Sequence, residues 1–243
     1  MPARVIGVIP ARLASTRFPG KPLVPLDGKP MLQHVYERAC RCSSLDEVVI
    51  ATDDEAIAAA CRTFGAPVRM TASTHLSGTD RVAEVAAGHP QEIVVNIQGD
   101  EPLIDPGAIA LAVESLLANP EAQMATLKRR IDRLDEITNP NVVKVVTDRR
   151  GFALYFSRSP IPFNRGGAVD YFKHIGLYVY RREFLLGYSG LPVGPLEQAE
   201  RLEQLRALEN GFAIHVAETE YESLGVDTPE DLVRVQRHLG TLS

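Results

Sequence analysis

The chain has 243 residues, of which 45% are hydrophobic and 23% charged, and its net charge is −5. This composition excludes a disordered or fibrous chain, and the acidic balance argues against a nucleic-acid binder with a wholly basic surface. The apolar runs are shorter than the roughly 20 residues that cross a bilayer, and the first residues lack a signal-peptide pattern, so we expect a cytoplasmic protein without membrane insertion.

The first half of the chain alternates short apolar strands with helices. The expected strands are 5–9, 47–51, 68–70 and 92–97, and the expected helices are 30–42, 54–64, one opening at 77, and 106–117. This alternation predicts a parallel sheet covered by helices on both faces. Ligands of such sheets bind at the carboxyl ends of the strands.

After residue 120 the pattern changes to strands joined by turns. The expected strands are 125–127, 142–147, 152–156, 175–180 and 212–217, with a hairpin turn at 148–151 and helices at 195–210 and 228–239. The fold class is therefore α/β, with a mostly parallel central sheet flanked by helices and a mixed or antiparallel extension in the second half. We expect one domain over 1–243, with halves that divide near residue 120.

The loop after the first strand, residues 10–22, is basic. Residues 1–26 carry Arg4, Arg12, Arg17 and Lys21 and no acidic residue. A strand, a basic loop and a helix in this order allow backbone N–H groups and cationic side chains to surround a phosphate. The loop has neither the P-loop nor the dinucleotide-binding glycine pattern. It predicts an anion site, and the alternative is a solvated surface loop.

Two aspartates are candidate ligands of magnesium, a hard cation that prefers oxygen. Asp100 follows a buried strand and a glycine turn. Thr228 and Asp231 fit a helix start with a capping box, which leaves Asp227 without a structural explanation and makes it a second candidate ligand. The alternative for either aspartate is a role in a turn.

Three further polar side chains are candidates for binding a ligand. Arg158 follows the strand 152–156 and can hold a carboxylate, and His174 can add a hydrogen bond, although a lone arginine or histidine is commonly structural. Glu203 lies about 20° from Leu196 and about 40° from Ala207 around the predicted helix 195–210. A charge on this partly apolar face needs a partner or a ligand.

Eight motifs then follow one another between Val5 and Leu239. They are P-A-R-x-x-S-T-R-x-P-G-K, T-D-D-E, H-x-S-G-T-D-R, N-I-Q-G-D-E-P, N-P-N-V-V-K-V-V, L-Y-F-S-R-S-P-I-P, L-E-Q-L-R and G-V-D-T-P-E-D-L. In these motifs the chain resembles the CMP-Kdo synthetases, the 3-deoxy-manno-octulosonate cytidylyltransferases of the nucleotide-diphospho-sugar transferase class. The resemblance implies an enzyme that transfers CMP from CTP to the acid sugar Kdo, giving CMP-Kdo and pyrophosphate for lipopolysaccharide biosynthesis.

The resemblance also implies a role for individual residues. The implied CTP-binding residues are Ala11, Arg12, Ser15, Arg17, Lys21, Ser77, Gly78 and Thr79. The implied sugar-binding residues are Arg81, Gln98, Tyr155, Arg158, His174, Glu203 and Gln204. Asp100 and Asp227 would hold Mg²⁺ and, with Lys21 and Arg12, form the catalytic set. Residues 1–120 would be the CTP-binding half and residues 121–243 the sugar-binding and dimerisation half of a homodimer, with the strand around 175–180 as the candidate contact.

The chain departs from this family between Phe163 and His174. The segment 164–173 is short, and Phe163 stands where tryptophan is common in the family. A modified Kdo, such as 8-amino-Kdo, therefore stays an alternative substrate, as does sialic acid. A nucleotide-binding homologue that has lost catalysis is a further alternative, and an RNA-binding protein is disfavoured by the absence of an aromatic stacking stripe.

Overall fold

The computed structural model describes residues 3–13 and 18–242. Its backbone divides into two compact units, one made of Met1–Ala110 and Ser223–Ser243 and the other of Leu111–Glu222. The C-terminal segment thus belongs to the same unit as the N-terminus. The expected boundary near residue 120 lies close to the division between Ala110 and Leu111. The single catalytic domain over residues 1–243 stays a prediction.

The N-terminal part of the first unit alternates strands and helices. Its strands are β1 (Val5–Ala11), β2 (Pro25–Leu26), β3 (Lys29–Pro30), β4 (Glu47–Thr52), β5 (Val68–Met70) and β6 (Ile93–Asn96). Its helices are α1 (Met31–Ala39), α2 (Glu55–Thr63), α3 (Gly78–Ala87) and α4 (Pro106–Ala118), the last of which runs on past Ala110. A 3₁₀ turn, Lys21–Leu23, lies at the end of the basic loop.

The parallel sheet expected for this unit is confirmed. Strand β1 pairs in parallel with β4 on one side and with β6 on the other, and β4 pairs in parallel with β5. Nearly every residue of β1 and β6 is buried, because helices cover a parallel sheet on both faces and only continuous apolar strands fit there. The carboxyl ends of β1 and β6 therefore lie side by side at one edge of this sheet.

The second unit contains a mixed sheet. Its elements are β7 (Met124–Arg130), α5 (Leu134–Thr138), β8 (Lys144–Thr147), β9 (Ala153–Ser157), β10 (Phe172–Arg181), α6 (Arg182–Tyr188), α7 (Pro195–Glu200), α8 (Gln204–Glu209) and β11 (Ile214–Glu218). Strand β7 pairs antiparallel with β10 and parallel with β11, and β8 pairs antiparallel with both β9 and β10. The expected antiparallel component is thus confirmed.

The hairpin predicted between β8 and β9 is also confirmed. Asp148 closes the turn, because its Oδ1 accepts the backbone N–H of Arg150 at 2.8 Å and that of Phe152 at 2.9 Å. Gly151 has a φ of 86°, which a residue without a Cβ adopts at little cost.

Helix α9 (Pro229–Leu242) completes the first unit. Within the described residues, no helix is both long enough and apolar enough to span a bilayer.

The prediction of one helix over 195–210 is wrong. The structure has two short helices, α7 and α8, which Arg201 separates in the left-handed conformation with φ 52° and ψ 49°. Glu203 is the residue that precedes α8 and does not share a helix with Leu196, so the helical wheel used for it does not apply. Helices α5 and α6 were not expected, since each is short and lacks a side-chain N-cap.

Candidate nucleotide-binding site

A cavity of about 270 Å³ lies in the first unit at the carboxyl ends of β1 and β6. Nine residues singled out from the sequence line it, namely Ala11, Arg12, Lys21, Ser77, Gly78, Arg81, Gln98, Asp100 and Asp227. Thr79 is buried in the first turn of α3 and is not among the lining residues. Ser15 and Arg17 fall outside the described residues. Residues from four separate segments of the chain therefore meet where a ligand of a parallel sheet is expected.

Lys21 bridges the two aspartates in this cavity. Its Nζ lies 2.8 Å from Oδ2 of Asp100 and 3.0 Å from Oδ1 of Asp227, and its side chain is 14% exposed. Burial alone would lower the pKa of Lys21, but the charges and hydrogen bonds of the two carboxylates outweigh it, and the pKa is raised. One cation therefore already lies between two carboxylate groups whose oxygens point to the same place.

Asp227 reaches the cavity through a short segment that precedes α9. The backbone N–H of Val226 donates to the carbonyl of Asp100 at 2.9 Å, which joins the two segments directly. The predicted capping box is present, since Asp231 Oδ2 accepts the N–H of Thr228 at 3.0 Å and Thr228 Oγ1 accepts the N–H of Asp231 at 3.2 Å. Asp231 Oδ2 also accepts the N–H of Asp227 at 3.0 Å. The helix start thus fixes the backbone from which the Asp227 carboxylate projects.

An apolar cluster anchors the same segment. Val226 and Val235 are fully buried against Leu26 and Met31, with Leu103 at the edge of the cluster. Burial of such side chains contributes about 1.5–3 kcal/mol each, which suffices to hold a helix and the residues before it in place. The position of Asp227 therefore depends on packing as well as on hydrogen bonds.

Gly99 allows the loops after β1 and β6 to approach each other. A Cβ at this position would lie 2.7 Å from the carbonyl oxygen of Pro10, closer than real Cβ atoms come to backbone. Any larger residue would push the two loops apart. The turn expected at Gln98-Gly99-Asp100 therefore has a steric reason, which the sequence alone did not reveal.

The start of α3 forms another wall of the cavity. Ser77 Oγ accepts the N–H of Asp80 at 3.1 Å, and Asp80 Oδ2 accepts the N–H of Ser77 at 3.2 Å, which is the reciprocal capping box. A Cβ at Gly78 would lie 3.5 Å from Cγ of Pro10, so this glycine packs close to the proline ring. His75, which sequence reasoning did not select, also lines the cavity and contacts Glu84.

Arg81 lines the cavity from a buried position. Its side chain is 5% exposed, and its guanidinium donates to Thr71 Oγ1 and lies 3.2 Å from Oδ1 of Asp53. These contacts join α3 to the segments that follow β4 and β5. Gln98 donates to Asn96 Oδ1 at 3.5 Å.

Other residues selected from the sequence lie in the second unit. His174 Nε2 is 2.9 Å from Thr126 Oγ1, and its ring stands edge-on to Phe156 at 5.0 Å between centroids. Gln204 is 3% exposed and its Oε1 accepts the hydroxyl of Tyr178 at 3.3 Å. The Nε2 of Gln204 is buried with no hydrogen-bond partner in the part of the chain that the structure describes. A buried amide donor of this kind is suited to a polar ligand.

Tyr178 is a candidate that sequence reasoning missed. Its ring lies 5.4 Å from that of His174, and burial raises the pKa of its hydroxyl, which stays protonated as a donor. His174 and Tyr178 are four residues apart on β10, and alternating side chains of a strand share a face. The spacing of four residues from His174 was therefore the signal in the sequence by which Tyr178 could have been selected.

Tyr155 and Arg158 lie at β9. Burial and then the charge of Glu200 raise the pKa of Tyr155. The Arg158 guanidinium donates to the backbone carbonyls of Pro140 at 2.9 Å and Glu200 at 2.7 Å. Glu203 contributes its carbonyl to a 2.6 Å hydrogen bond from the hydroxyl of Tyr188.

His174 predicts a pH dependence of stability. Burial lowers its pKa from 6.5 to about 3, so below about pH 6.5 the unfolded chain binds a proton that the folded protein does not. Stability therefore falls as the pH drops from 6.5 towards 3, by up to about 1.4 kcal/mol per pH unit below pH 6. His174→Gln should lose less unfolding free energy between pH 7.5 and pH 5 than the unmodified chain, as measured by urea unfolding. An identical loss in both proteins would contradict this assignment.

The family model described as cytidylyltransferase matches residues 6–219. The chain belongs to the cytidylyltransferase family. A 3-deoxy-manno-octulosonate cytidylyltransferase from Solibacter usitatus is 65% identical over 239 residues, which are 98% of this chain and 95% of the relative. One from Syntrophotalea carbinolica is 58% identical, over 97% of this chain and 98% of the relative.

A solved structure agrees with this membership of the cytidylyltransferase family. CMP:2-keto-3-deoxy-manno-octonic acid synthetase complexed with CTP is 44% identical, with a TM-score of 0.96 over 99% of this chain and 100% of that one. The resemblance drawn from the eight motifs, the expected α/β fold and the class of enzyme are confirmed. The roles of individual residues are not tested by these likenesses and stay predictions.

Proposed function

We propose that this cytidylyltransferase transfers CMP from CTP to the anomeric hydroxyl of Kdo, giving CMP-Kdo and pyrophosphate. The observation that carries the proposal is the cavity in which Lys21 meets Asp100 and Asp227, because it combines a cation for phosphate with two carboxylates for a metal. The relatives that match almost the whole chain have names that state this activity. The enzyme class is thus supported both by the geometry of the cavity and by the names of the relatives.

Magnesium is the proposed cofactor, and the residues present fit it. The ammonium of Lys21 is a stand-in cation, which touches both carboxylates at 2.8 and 3.0 Å. No group of three His, Cys, Asp or Glu residues that could hold a metal occurs among residues 3–13 and 18–242. Two carboxylates leave the other positions to water and phosphate oxygens, as magnesium prefers. When bound, magnesium supplies positive charge to the phosphates and favours the deprotonated form of a hydroxyl.

The protein groups of the cavity then have defined tasks. The sugar hydroxyl attacks the α-phosphorus of CTP as it loses its proton, the bond from that phosphorus to the bridging oxygen of the β-phosphate breaks, and pyrophosphate leaves. We propose that Lys21 and Arg12 stabilise the negative charge that develops on pyrophosphate, together with Arg17. Ala11 and the residues 77–79 would hold cytosine and ribose. No covalent bond to the enzyme is needed.

For the sugar we propose a second set of residues. Its members are Arg81, Gln98, Tyr155, Arg158, His174, Tyr178, Glu203 and Gln204. Gln204 and Tyr178 have the strongest physical support, because Gln204 is a buried polar group and is hydrogen-bonded to the half-buried Tyr178. Polar groups buried in this way give selectivity for sugar hydroxyls, since a ligand that cannot pair with them leaves them unsatisfied.

A pyrophosphate-release assay tests the proposed function. With CTP and magnesium, Kdo is expected to give continuous release, and 8-amino-Kdo and sialic acid much less. Omission of the sugar and replacement of CTP by UTP are the controls. Release with 8-amino-Kdo or sialic acid but not with Kdo would replace the proposed acceptor. Binding of CTP without turnover on any of the three acids would support an inactive homologue instead.

We also infer that the protein acts in the cytoplasm as a homodimer. The family resemblance is the basis for both statements. Sedimentation equilibrium across a range of protein concentrations tests the second, with a mass of twice 26.6 kDa as the expected result. A mass of 26.6 kDa at all concentrations would contradict it.

A further inference from the structure

We propose that Asp53 is a positioning residue, which holds the guanidinium of Arg81 in one orientation at the wall of the nucleotide cavity. Both residues belong to the first unit, where Asp53 follows β4 and Arg81 lies in α3. The kinetic consequences of this role rest on the proposed function, in which Arg81 belongs to the sugar-binding set, whereas its structural consequences do not.

Asp53 lies in the motif T-D-D-E, in which the residues on either side of it have local roles. Thr52 Oγ1 accepts the N–H of Asp54 at 3.2 Å. Asp54 is the N-cap of α2, since its Oδ1 accepts the N–H of Ala56 at 2.8 Å. Asp53 instead reaches a different helix, because its Oδ1 lies 3.2 Å from Nη2 of Arg81 in α3. The motif thus combines a turn, a helix start and a long-range ion pair.

The guanidinium of Arg81 is held at two different nitrogens. Its Nη2 faces Asp53, and its Nη1 donates to Thr71 Oγ1. Thr71 is itself fixed, because its N–H donates to the carbonyl of Thr52 at 2.9 Å. A guanidinium is planar, so contacts at two nitrogens set its plane as well as its position. It also has five N–H donors, so these two contacts do not exhaust its capacity to bind an anion in the cavity that Arg81 lines.

Asp53 also supplies the negative charge that the buried position of Arg81 requires. The side chain of Arg81 is 5% exposed, and a charge in such a place is costly without a partner. Glu84 is a second carboxylate on α3, but other groups engage it. The N–H of Ala72 and then the side chain of His75 are the main causes that lower the pKa of Glu84, and the charge of Arg81 contributes less. Asp53 is thus the acid in direct contact with the guanidinium.

An arginine that is already ordered binds a substrate more tightly than a mobile one. Its side chain has several rotatable bonds, and ordering them when the ligand binds costs affinity. In this cavity Asp53 and Thr71 hold the guanidinium before a ligand arrives. Loss of the Asp53 carboxylate should therefore weaken the binding of the substrate that Arg81 contacts, while the rate of the bound substrate changes little.

The experiment compares Asp53→Asn and Arg81→Lys with the control Asp54→Asn. The control removes the same charge one position along the chain, and asparagine remains a good N-cap for α2. Asp53→Asn and Arg81→Lys should each raise the KM for Kdo about tenfold, with kcat changed less than about threefold, since each loses a contact between charged groups. The double variant should add little, because both changes remove the same contact. Asp53→Glu keeps the charge and should restore most of the affinity.

A spectroscopic measurement on the substrate-free protein separates the orientation of Arg81 from activity. The NMR signal of the Arg81 Nε–H group is assigned by its loss in Arg81→Lys. In Asp53→Asn this proton should exchange with solvent about tenfold faster than in the unmodified protein, because the guanidinium is released. Asp54→Asn should leave its exchange unchanged. If the protein does not use Kdo, this measurement still decides whether Asp53 positions Arg81.

A contact that merely ties β4 to α3 predicts a different pattern. Asp53→Asn would then lower the melting temperature and kcat, and would leave the KM for Kdo and the exchange of the Arg81 Nε–H unchanged. That result, or a raised KM in Arg81→Lys alone, would overturn the assignment. If Asp53→Asn does not fold, Thr71→Val removes a neutral contact to the same guanidinium and provides the same comparison.

Discussion

Asp100→Asn is expected to lower turnover by about 100-fold or more while changing the affinity for CTP by less than about threefold. The carboxylate is proposed to hold magnesium, whose charge matters most when negative charge moves towards pyrophosphate. Asp227→Asn should have the same effect, because both carboxylates contact the same cation position. Steady-state kinetics at saturating Kdo measure turnover, and calorimetry measures CTP binding.

The matched control is Asp105→Asn. Oδ1 of Asp105 accepts the N–H of Gly107 at 3.1 Å, and asparagine can keep that bond. Asp105 does not line the cavity. Its variant should therefore keep normal turnover. Near-normal turnover of the Asp100 and Asp227 variants in magnesium would show that the metal is held elsewhere.

Lys21→Met is expected to lower turnover by about 100-fold and to lower stability in EDTA by about 1–2 kcal/mol. The variant leaves two carboxylates facing each other without a cation, and their exposures of 34% and 46% keep the cost modest because solvent screens them. Millimolar magnesium should raise the melting temperature of this variant more than that of the unmodified protein, since the metal replaces the lost charge.

Lys29→Met is the control for the lysine variant. Lys29 pairs with Glu37 at 2.7 Å, is 45% exposed and does not line the cavity. Its substitution should change neither turnover nor the response to magnesium. An equal effect of magnesium on the melting temperatures of the Lys21 variant and the unmodified protein would contradict the proposed position of the metal.

The N-terminal unit could be predicted well because its signals are local. The apolar run of β1, the Asp54 N-cap and the capping boxes at Ser77 and Thr228 all act within a few residues of the chain. The meeting of Asp100 with Asp227 was anticipated from their chemistry, since Asp100 follows a buried strand and Asp227 was left without a structural role. The bridge that Lys21 makes between them could not be read from the sequence, because it depends on three distant segments.

The second unit was harder to predict, for reasons that particular residues illustrate. The sequence around Arg201 has no glycine, proline or asparagine to signal the end of α7. The break is stabilised by Arg158, which lies 43 residues away in the chain. Gln204 was selected from a family motif, whereas its partner Tyr178 was overlooked because tyrosine on a strand is commonly a packing residue.

The bond between Lys21 and Asp227 closes a loop of 206 residues. During synthesis the N-terminal strands leave the ribosome long before Ser223–Ser243, the segment that completes their unit, while Leu111–Glu222 emerges as one continuous stretch that can fold first. A nascent or prematurely ended chain therefore lacks one of the two carboxylates. Incomplete translation should therefore give the cell no partly active enzyme. A cut just before Ser223 should abolish the activity while leaving most of the strands intact.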